Sequence, residues 1–304
     1  MKVLYYNNCW FTNIGEAFVD IGSMQLLQKI LPGCQLINLS NMNRFYFDLV
    51  CKREKIDNPY KANMKTPHML KLYSGDYFVM SGMIVSEGFL TEKEWSEEII
   101  ELADRGTKIV FLGLGQATYS QKETDSFKRF IERVQPVLLM SRDDVVYENF
   151  RDCCPVVKGI DCAFWVKDAY DPRNATKELY DVVTYNRSPE PEQLRQLSRV
   201  IRAHHMNWKF TSKDFKEHLF ISDTPYDYLT LYANADRVYT DLVHATIISL
   251  QYGKHVKFGR VDSRAYAIDA LEKLEFDENQ FMYVREQNLE NQKLRIMQEI
   301  QNIL

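Results

Sequence analysis

Short, unbroken runs of apolar residues, separated by segments with helical punctuation, dominate the first half of this sequence. Four such runs are Val3–Tyr6, Tyr77–Met80, Ile109–Leu112 and Val137–Met140. None of them alternates polar with apolar residues, which is typical of strands covered by helices on both faces. Strands that alternate with helices favour a parallel sheet with right-handed crossovers. The sequence therefore predicts an α/β fold.

The segments between these runs carry helix start and stop signals. Asn13 and Glu16 have the spacing of a capping box, which predicts a helix that ends at Pro32. A second capping box at Thr91–Glu94 opens a helix for which Gly106 is the expected stop. These signals support the strand–helix alternation.

The chain length of 304 residues is enough for about two domains. The polar segment 167–179 predicts a linker between an N-terminal Rossmann-like domain (1–170) and a C-terminal one (171–304). The terminal helix of the second domain could pack back on the first. The segment 41–72 has no clear pattern and is expected to mix helix and loop.

The C-terminal half repeats the strand–helix alternation. A helix is predicted from Pro191, with Val200 and Ile201 among its inward residues and His204 and His205 at its end. The last 20 residues predict a terminal helix. The expected strands are Asp181–Tyr185, Trp208–Thr211, Leu219–Ile221, Arg237–Tyr239 and His255–Phe258.

Composition excludes several functional classes. The net charge of −4 argues against a nucleic-acid binder. No run reaches the roughly 18 apolar residues of a membrane span, and the N-terminus does not resemble a signal peptide. The six cysteines form no C-x-x-C motif and are expected to be reduced thiols in a cytoplasmic protein. The histidines lack metal-ligand spacing, and Thr118 stands where a dinucleotide fingerprint needs its third glycine.

Ligands in open α/β sheets bind outside the carboxyl ends of the strands. Arg142 is the fixed positive charge among the residues expected there, so an anionic ligand is predicted. In the alternative interpretation the segments are only tight turns, and Arg142 pairs with Asp143 or Asp144. The polar or glycine-rich strand ends contain Asn13, Gly15, Ser81, Gly82, Gly113, Gly115, Ser141 and Arg142.

A second candidate lies in the C-terminal half, at His244. A short strand ends near Tyr239, so Asp241 is the expected N-cap of the next helix and His244 its third residue. The positive end of a helix lowers the pKa of an imidazole, and a bound anion raises that pKa again. His244 would then suit a general acid, although a structural or capping role fits the same spacing.

Six elements, in this order along the chain, resemble the polysaccharide pyruvyl transferase family. They are Asn13–Ala17 (the family's N-x-G-D/E), Ser81–Ile84 (its G-G-x-x loop), Gly113–Gly115 (a strand-end turn), Ser141–Asp143 (S-R-D), Gly159–Phe164 (D-x-A/P-F) and Asp236–Gly253 (R-L-H and its helix). The resemblance implies two Rossmann-like domains with parallel sheets facing across a cleft, as in GT-B glycosyltransferases.

One element departs from the family pattern. The R-L-H element reads Leu242-Val243-His244, so the histidine is kept and the arginine is lost. In the family this arginine helps to hold phosphoenolpyruvate. Loss of one hydrogen bond to a charged group would weaken donor binding by about 10- to 150-fold. Arg260 or Arg264 could supply the missing charge, and Arg264 is the nearer equivalent of a basic residue in the family.

The resemblance implies transfer of pyruvate from phosphoenolpyruvate onto sugar hydroxyls as a ketal, in cell-surface polysaccharide biosynthesis. His244 is the implied acid, and Arg142 and Arg264, with the strand-end residues Asn13, Gly15, Ser81, Gly82, Gly113 and Gly115, would bind substrate. No metal or cofactor is expected besides the donor. The acceptor would be a saccharide, free or lipid-linked, and a peripheral membrane contact is compatible with this. The alternatives are a non-catalytic or donor-altered relative and a nucleotide-sugar glycosyltransferase of the GT-B fold.

Overall fold

A computed structural model describes residues 1–7, 13–40, 69–87, 93–205 and 219–304. These residues form two compact units. The first unit contains the described residues of 1–9, 27–161 and 296–304, and the second contains those of 10–26 and 162–295. The domain boundary after residue 170 stays a prediction.

The first unit is built on a parallel sheet. Its strands are β1 (Lys2–Asn7), β2 (Gln35–Ser40), β3 (Tyr77–Ser81), β4 (Ile84–Val85), β5 (Lys108–Gln116), β6 (Leu138–Ser141) and β7 (Val156–Lys158). The strand order is β2-β1-β3-β5-β6-β7, and β4 pairs with the end of β5. All of these pairs are parallel. The four apolar runs of the N-terminal half are thus confirmed as strands, whereas β2, β4 and β7 were not predicted.

Helices connect these strands along the chain. They are α1 (Ile14–Ile30), α2 (Met69–Leu72), α3 (Lys93–Asp104), α4 (Gln121–Val134) and α5 (Asp144–Phe150). α1 begins after Asn13 and ends before Pro32, and Gly106 follows α3 with a left-handed φ of 88°. The Thr91 capping box lies outside the described residues. α4 buries Phe127 and Phe130 against the sheet, which closes the core of this unit.

The glycine pair Gly113 and Gly115 does not form the predicted turn. β5 continues to Gln116, and its register with β6 shifts between Phe111 and Leu114. Gly113 lies inside this irregularity with a φ of 65°, a value that glycine adopts without steric cost. The strand can continue because Gly115 and Gln116 pair with β4, which the sequence analysis missed.

The second unit also contains a sheet, which is parallel except at one edge. Its strands are β8 (Asp181–Thr184), β9 (Val200–Ala203), β10 (Leu219–Phe220), β11 (Arg237–Thr240), β12 (His255–Phe258), β13 (Leu274–Phe276) and β14 (Met282–Val284). The order is β10-β9-β8-β11-β12-β14-β13. β14 pairs antiparallel with both β12 and β13, and the remaining pairs are parallel.

The helices of this half are α6 (Val166–Ala169), α7 (Pro225–Asn234), α8 (Val243–Gln251), α9 (Tyr266–Asp269) and α10 (Glu286–Gln301). Single 3₁₀ turns occur at Cys162–Trp165, Glu192–Gln196 and Ser263–Ala265. The terminal helix is confirmed as α10. Leu289, Ile296 and Ile300 are buried on it, whereas Leu294 is 49% exposed.

The helix predicted from Pro191 is wrong. Only the 3₁₀ turn Glu192–Gln196 forms there, and the chain then enters β9. Val200 and Ile201 therefore pair laterally with β8, and β10 pairs with the other side of β9. β-branched residues suit such strands, and the pairing partners outweigh a local helical spacing. The strand predicted at Trp208–Thr211 lies outside the described residues.

Two further predictions concern the membrane and the cysteines. No helix in the described part of the chain has the length and apolar character needed to cross a bilayer. Of the six cysteines, the structure describes Cys34, Cys153, Cys154 and Cys162, and all four are free thiols.

Candidate functional site

The carboxyl ends of β3, β5 and β6 lie at the same edge of the first sheet, because these neighbouring strands run parallel. Ser81 ends β3, is buried, and shares a short hydrogen bond with the Tyr5 hydroxyl. Gly82 follows with a φ of 59°, and its N–H donates to the Leu112 carbonyl at 2.8 Å. Ser81 and Gly82 thus form part of the hydrogen-bonded framework of this edge.

Arg142 is the main charged group of this edge. It follows β6 directly and is only 3% exposed. Its Nη1 lies 3.6 Å from Asp161, which is an ion pair without close contact. Its Nε and Nη2 atoms, and the neighbouring Ser141 hydroxyl, are buried without a hydrogen-bond partner among the described residues. Buried polar groups are almost always paired, so these donors mark the place as a candidate binding site.

Gly115 makes room for the Arg142 guanidinium. A β-carbon at position 115 would lie 2.7 Å from Cζ and 2.8 Å from Nη2 of Arg142, closer than atoms can pack. Glycine is therefore needed at position 115 so that the Arg142 side chain can lie against the backbone. The sequence analysis expected the glycines to allow close approach of a ligand, not of this side chain.

Neither of the aspartates after Arg142 is its partner among the described residues. The Asp143 side chain accepts from the Val146 N–H at 2.9 Å, so that it caps α5, and from the Tyr119 hydroxyl at 2.7 Å. Asp144 instead pairs with Lys158 at 3.0 Å. The alternative in which Arg142 is neutralised by Asp143 or Asp144 is thus not what the structure shows.

Tyr119 belongs to this site and was missed by the sequence analysis. Its backbone has a φ of 58°, an uncommon value for an aromatic residue. The buried Glu123 carboxylate accepts from the N–H groups of Thr118 and Tyr119 and so holds this conformation. Burial raises the pKa of Tyr119, although the nearby Arg142 charge opposes this, so the phenol stays protonated and can donate. No sequence motif marks this residue.

His244 lies in the first turn of α8, in the second unit. It is the second residue of this helix, not the third as predicted. Leu242 is the N-cap residue and makes no side-chain capping bond, so the predicted capping by Asp241 is wrong. The Asp241 carboxylate is occupied elsewhere, because it accepts from the backbone N–H groups of Asn186, Arg187 and Ser188. Three such bonds outweigh a single capping bond.

Gly15 and Asn13, at the start of α1, lie beside His244 in the same unit. A β-carbon on Gly15 would overlap the Nδ1 atom of His244 and lie 3.1 Å from its Cγ. Asn13 accepts from the Gly15 N–H at 3.1 Å, as expected of an N-cap. The structure thus brings the predicted site residue His244 together with two others, Asn13 and Gly15, which lie 231 and 229 positions before it in the chain.

A second histidine, His205, contacts the start of α1 in the same unit. Its carbonyl accepts from the Ile14 N–H at 3.2 Å, and its Nε2 shares a hydrogen bond of 2.6 Å with the Tyr232 hydroxyl. The Tyr232 hydroxyl also bonds Thr184 at 2.9 Å. Burial, aided by the His244 and His204 charges, lowers the pKa of His205 to about 3. The imidazole is therefore neutral at physiological pH. His205 follows β9 and does not lie at the end of a helix, as the sequence analysis predicted.

Leu242 and the two candidate replacement arginines also lie in the second unit. Leu242 is 7% exposed, so an apolar side chain fills this position. Arg260 pairs with Asp269, and the Arg264 N–H donates to Asp262 at 3.0 Å. Both arginines follow β12, which runs parallel to β11, so they lie at the sheet edge where α8 begins. Their role as donor ligands stays a prediction.

The described residues contain no group of three or more His, Cys, Asp or Glu side chains that could hold a metal ion.

A family model described as polysaccharide pyruvyl transferase matches residues 13–256, most of the chain. A comparison with curated proteins gave no significant match.

Several solved structures have a similar fold over nearly the full length of both chains. A putative UDP-N-acetylglucosamine 2-epimerase from Listeria monocytogenes has a TM-score of 0.56 at 12% identity, covering 98% of this chain and 88% of that one. UDP-GlcNAc 2-epimerase from Methanocaldococcus jannaschii, in complex with UDP-GlcNAc and UDP, has a TM-score of 0.53 at 11% identity, covering 98% and 99%. At such identities the similarity shows the fold alone, and this is the GT-B fold.

Proposed function

Because the chain belongs to the polysaccharide pyruvyl transferase family, we propose that it transfers pyruvate from phosphoenolpyruvate to two hydroxyls of a saccharide. The C2–O bond to phosphate breaks, and two C–O bonds to the sugar form at C2. The two sugar hydroxyls lose one proton each. The methylene carbon gains one proton in becoming a methyl group, and the second proton leaves with phosphate. The product is a ketal with a methyl and a carboxylate group, and no redox step is needed.

The observation that carries this proposal is the state of Arg142. A buried guanidinium is costly unless it is paired, and here Nε and Nη2 have no partner among the described residues. Its one ion pair with a described residue, Asp161, is long at 3.6 Å. An anion that accepts from these nitrogens would complete the site, and phosphoenolpyruvate offers both a carboxylate and a phosphate. Arginine suits such groups because its planar fork donates two parallel hydrogen bonds.

His244 is the proposed general acid for the methylene carbon. It lies in the first turn of α8, and an imidazolium at this position could give its proton to the methylene carbon as oxocarbenium character grows at C2. The packing against Gly15 limits the orientations that the ring can adopt.

The setting and the acceptor are proposed from the family. We expect a saccharide acceptor, free or lipid-linked, and a role in cell-surface polysaccharide synthesis from the cytoplasmic side. The reaction requires no metal or organic cofactor. Asn13, Gly15, Ser81, Gly82, Gly113, Gly115 and Arg264 would then contribute to substrate binding, directly or through the shape of the strand ends.

A donor-altered or non-catalytic relative is the second candidate, and Leu242 favours it. This buried leucine stands where the family pattern has an arginine, so the second unit lacks one donor-binding cation. Under this alternative the chain would bind a different anion, or bind phosphoenolpyruvate without turnover.

Thermal unfolding with added ligands separates these functions. A ligand present at 100 times its Kd stabilises a protein by about 2.7 kcal/mol. We expect stabilisation by phosphoenolpyruvate, with UDP-GlcNAc giving little, and phosphate release once an acceptor saccharide is added. Stabilisation by UDP-GlcNAc alone would support glycosyl transfer. Binding of phosphoenolpyruvate without phosphate release across an acceptor panel would support the non-catalytic relative.

A further inference from the structure

Arg142 is followed in the chain by a carboxylate that could neutralise it. Asp143 is buried, and the Arg142 charge is near enough to act on it. An ion pair between them would occupy the guanidinium nitrogens that an external anion needs. Whether Arg142 can bind an anion thus depends on where the Asp143 carboxylate points.

Each oxygen of the Asp143 carboxylate accepts a hydrogen bond. Oδ1 accepts from the Val146 N–H at 2.9 Å, and Oδ2 accepts from the Tyr119 hydroxyl at 2.7 Å. The first bond belongs to the start of α5. The second bond comes from Tyr119, in the loop between β5 and α4, and involves Oδ2, the oxygen that does not cap the helix.

Tyr119 is itself held so that its hydroxyl reaches Asp143. Its φ of 58° is unusual for a non-glycine residue, and strained backbone of this kind persists where surrounding contacts enforce it. Both carboxylate oxygens of the buried Glu123 accept backbone N–H groups of this loop, from Thr118 and Tyr119. The helix-capping Ser120 follows directly, which ties the loop to α4.

We propose that Tyr119 is a positioning residue that diverts the Asp143 carboxylate from Arg142 and thereby keeps the guanidinium open to a carboxylate or phosphate ligand. The proposal rests on the proposed function for the identity of the natural anion, phosphoenolpyruvate. The diversion itself depends only on the contacts within the first unit. It also explains why Nε and Nη2 of Arg142 have no partner among the described residues although a carboxylate is adjacent in sequence.

The test is Tyr119→Phe, measured by calorimetric titration of the full chain with phosphoenolpyruvate, inorganic phosphate and pyruvate. Loss of the phenol hydroxyl frees Asp143 Oδ2 to turn toward Arg142. We expect affinity for the anion that the wild type binds to fall by about tenfold, as for the loss of one charged hydrogen bond. If the wild type turns over, KM for the donor rises by the same factor while kcat stays within about twofold, because Tyr119 does not touch the reacting atoms.

The rescue variant is Tyr119→Phe combined with Asp143→Asn. An asparagine can still accept the Val146 N–H, but it has no charge with which to compete for Arg142. We expect this double variant to recover most of the wild-type affinity. The matched control is Tyr77→Phe, which removes a phenol hydroxyl of the same unit that donates to the Leu304 carbonyl, and it should bind as the wild type does.

Each outcome decides between the possibilities. Unchanged affinity in Tyr119→Phe, or an affinity loss that Asp143→Asn does not reverse, would overturn the proposal and assign Tyr119 a structural role only. Failure of the wild type to bind any of the three anions would overturn it as well. Binding of phosphate or pyruvate but not phosphoenolpyruvate would refute the proposed function, while the diversion would still be tested with the anion that binds.

Discussion

The α-carbon of Gly15, in the first turn of α1, lies against the imidazole of His244, in the first turn of α8. A side chain at position 15 would occupy the space of that ring. The two residues are far apart in the chain, and the contact decides which orientations His244 can adopt. The effect of a substitution at Gly15 should therefore depend on the side chain at position 244.

We expect Gly15→Ala to destabilise the protein when the His244 imidazole is present and to cost much less in the His244→Ala background, where only the β-carbon of residue 244, 3.1 Å from the new methyl group, remains. Alanine in a helix is normally favoured over glycine by about 0.5–1 kcal/mol, but here its β-carbon overlaps the imidazole. The measurement is the free energy of unfolding of the wild type, Gly15→Ala, His244→Ala and the double variant. Additive effects of the two substitutions would show that the contact does not exist.

His244→Ala should lower the rate of pyruvyl transfer by about 10²–10⁴, the usual contribution of a general acid. Phosphate release at saturating phosphoenolpyruvate and acceptor is the measurement. His255→Ala is the control, because His255 lies at the start of β12, stacks on Tyr283 and pairs with Asp277. Near-normal turnover in His244→Ala would remove this histidine from the mechanism.

Arg142→Gln should weaken phosphoenolpyruvate binding by about 10- to 150-fold, since a neutral amide replaces a charged donor. It should also lower stability, because the buried Asp161 loses its counter-charge. Adding Asp161→Asn is expected to recover stability but not binding, which separates the two roles. Arg151→Gln, at a half-exposed position of the same unit, is the control. Equal donor affinity in Arg142→Gln and the wild type would contradict the anion site.

Stability should decrease with falling pH because of His205. The pKa of this imidazole is about 3 in the folded protein and about 6.5 in the unfolded chain, so between these values the unfolded chain binds more protons. The contribution is fully present above pH 6.5 and is lost as the pH falls toward 3, with a slope of up to about 1.4 kcal/mol per pH unit.

The measurement is urea unfolding of the wild type and His205→Gln from pH 8 to pH 4. The wild type should lose stability more steeply than the variant below pH 6.5, and the two slopes should agree between pH 7 and pH 8. Parallel curves over the whole range would mean that His205 does not stay neutral in the folded protein.

Local sequence pattern was sufficient for much of the N-terminal half of the chain. Its four apolar runs are strands, and α1 begins after Asn13 and ends before Pro32 as predicted. Such elements are recognisable because buried parallel strands need uninterrupted apolar residues and helix ends need particular capping residues. The strands β2, β4 and β7 were not predicted, because their apolar patterns are short and the strands are stabilised mainly by pairing with their neighbours.

Elsewhere the prediction failed where distant partners compete with local preference. Val200 and Ile201 have helical spacing with Leu194 and Leu197, yet they form β9 because β8 and β10 pair on either side. Asp241 has the position of a helix cap, yet three backbone N–H groups from the loop after β8 occupy its carboxylate.

Sequence was enough to indicate an α/β chain of this family and to propose Arg142 and His244 as candidate site residues, because strand runs, capping signals and motif order are all local or ordered along the chain. It could not show that Tyr119 donates to Asp143, that Gly15 abuts His244, or that His205 is buried in the same unit as His244. Those relationships join residues 24 to 229 positions apart, and they exist only once each unit has folded.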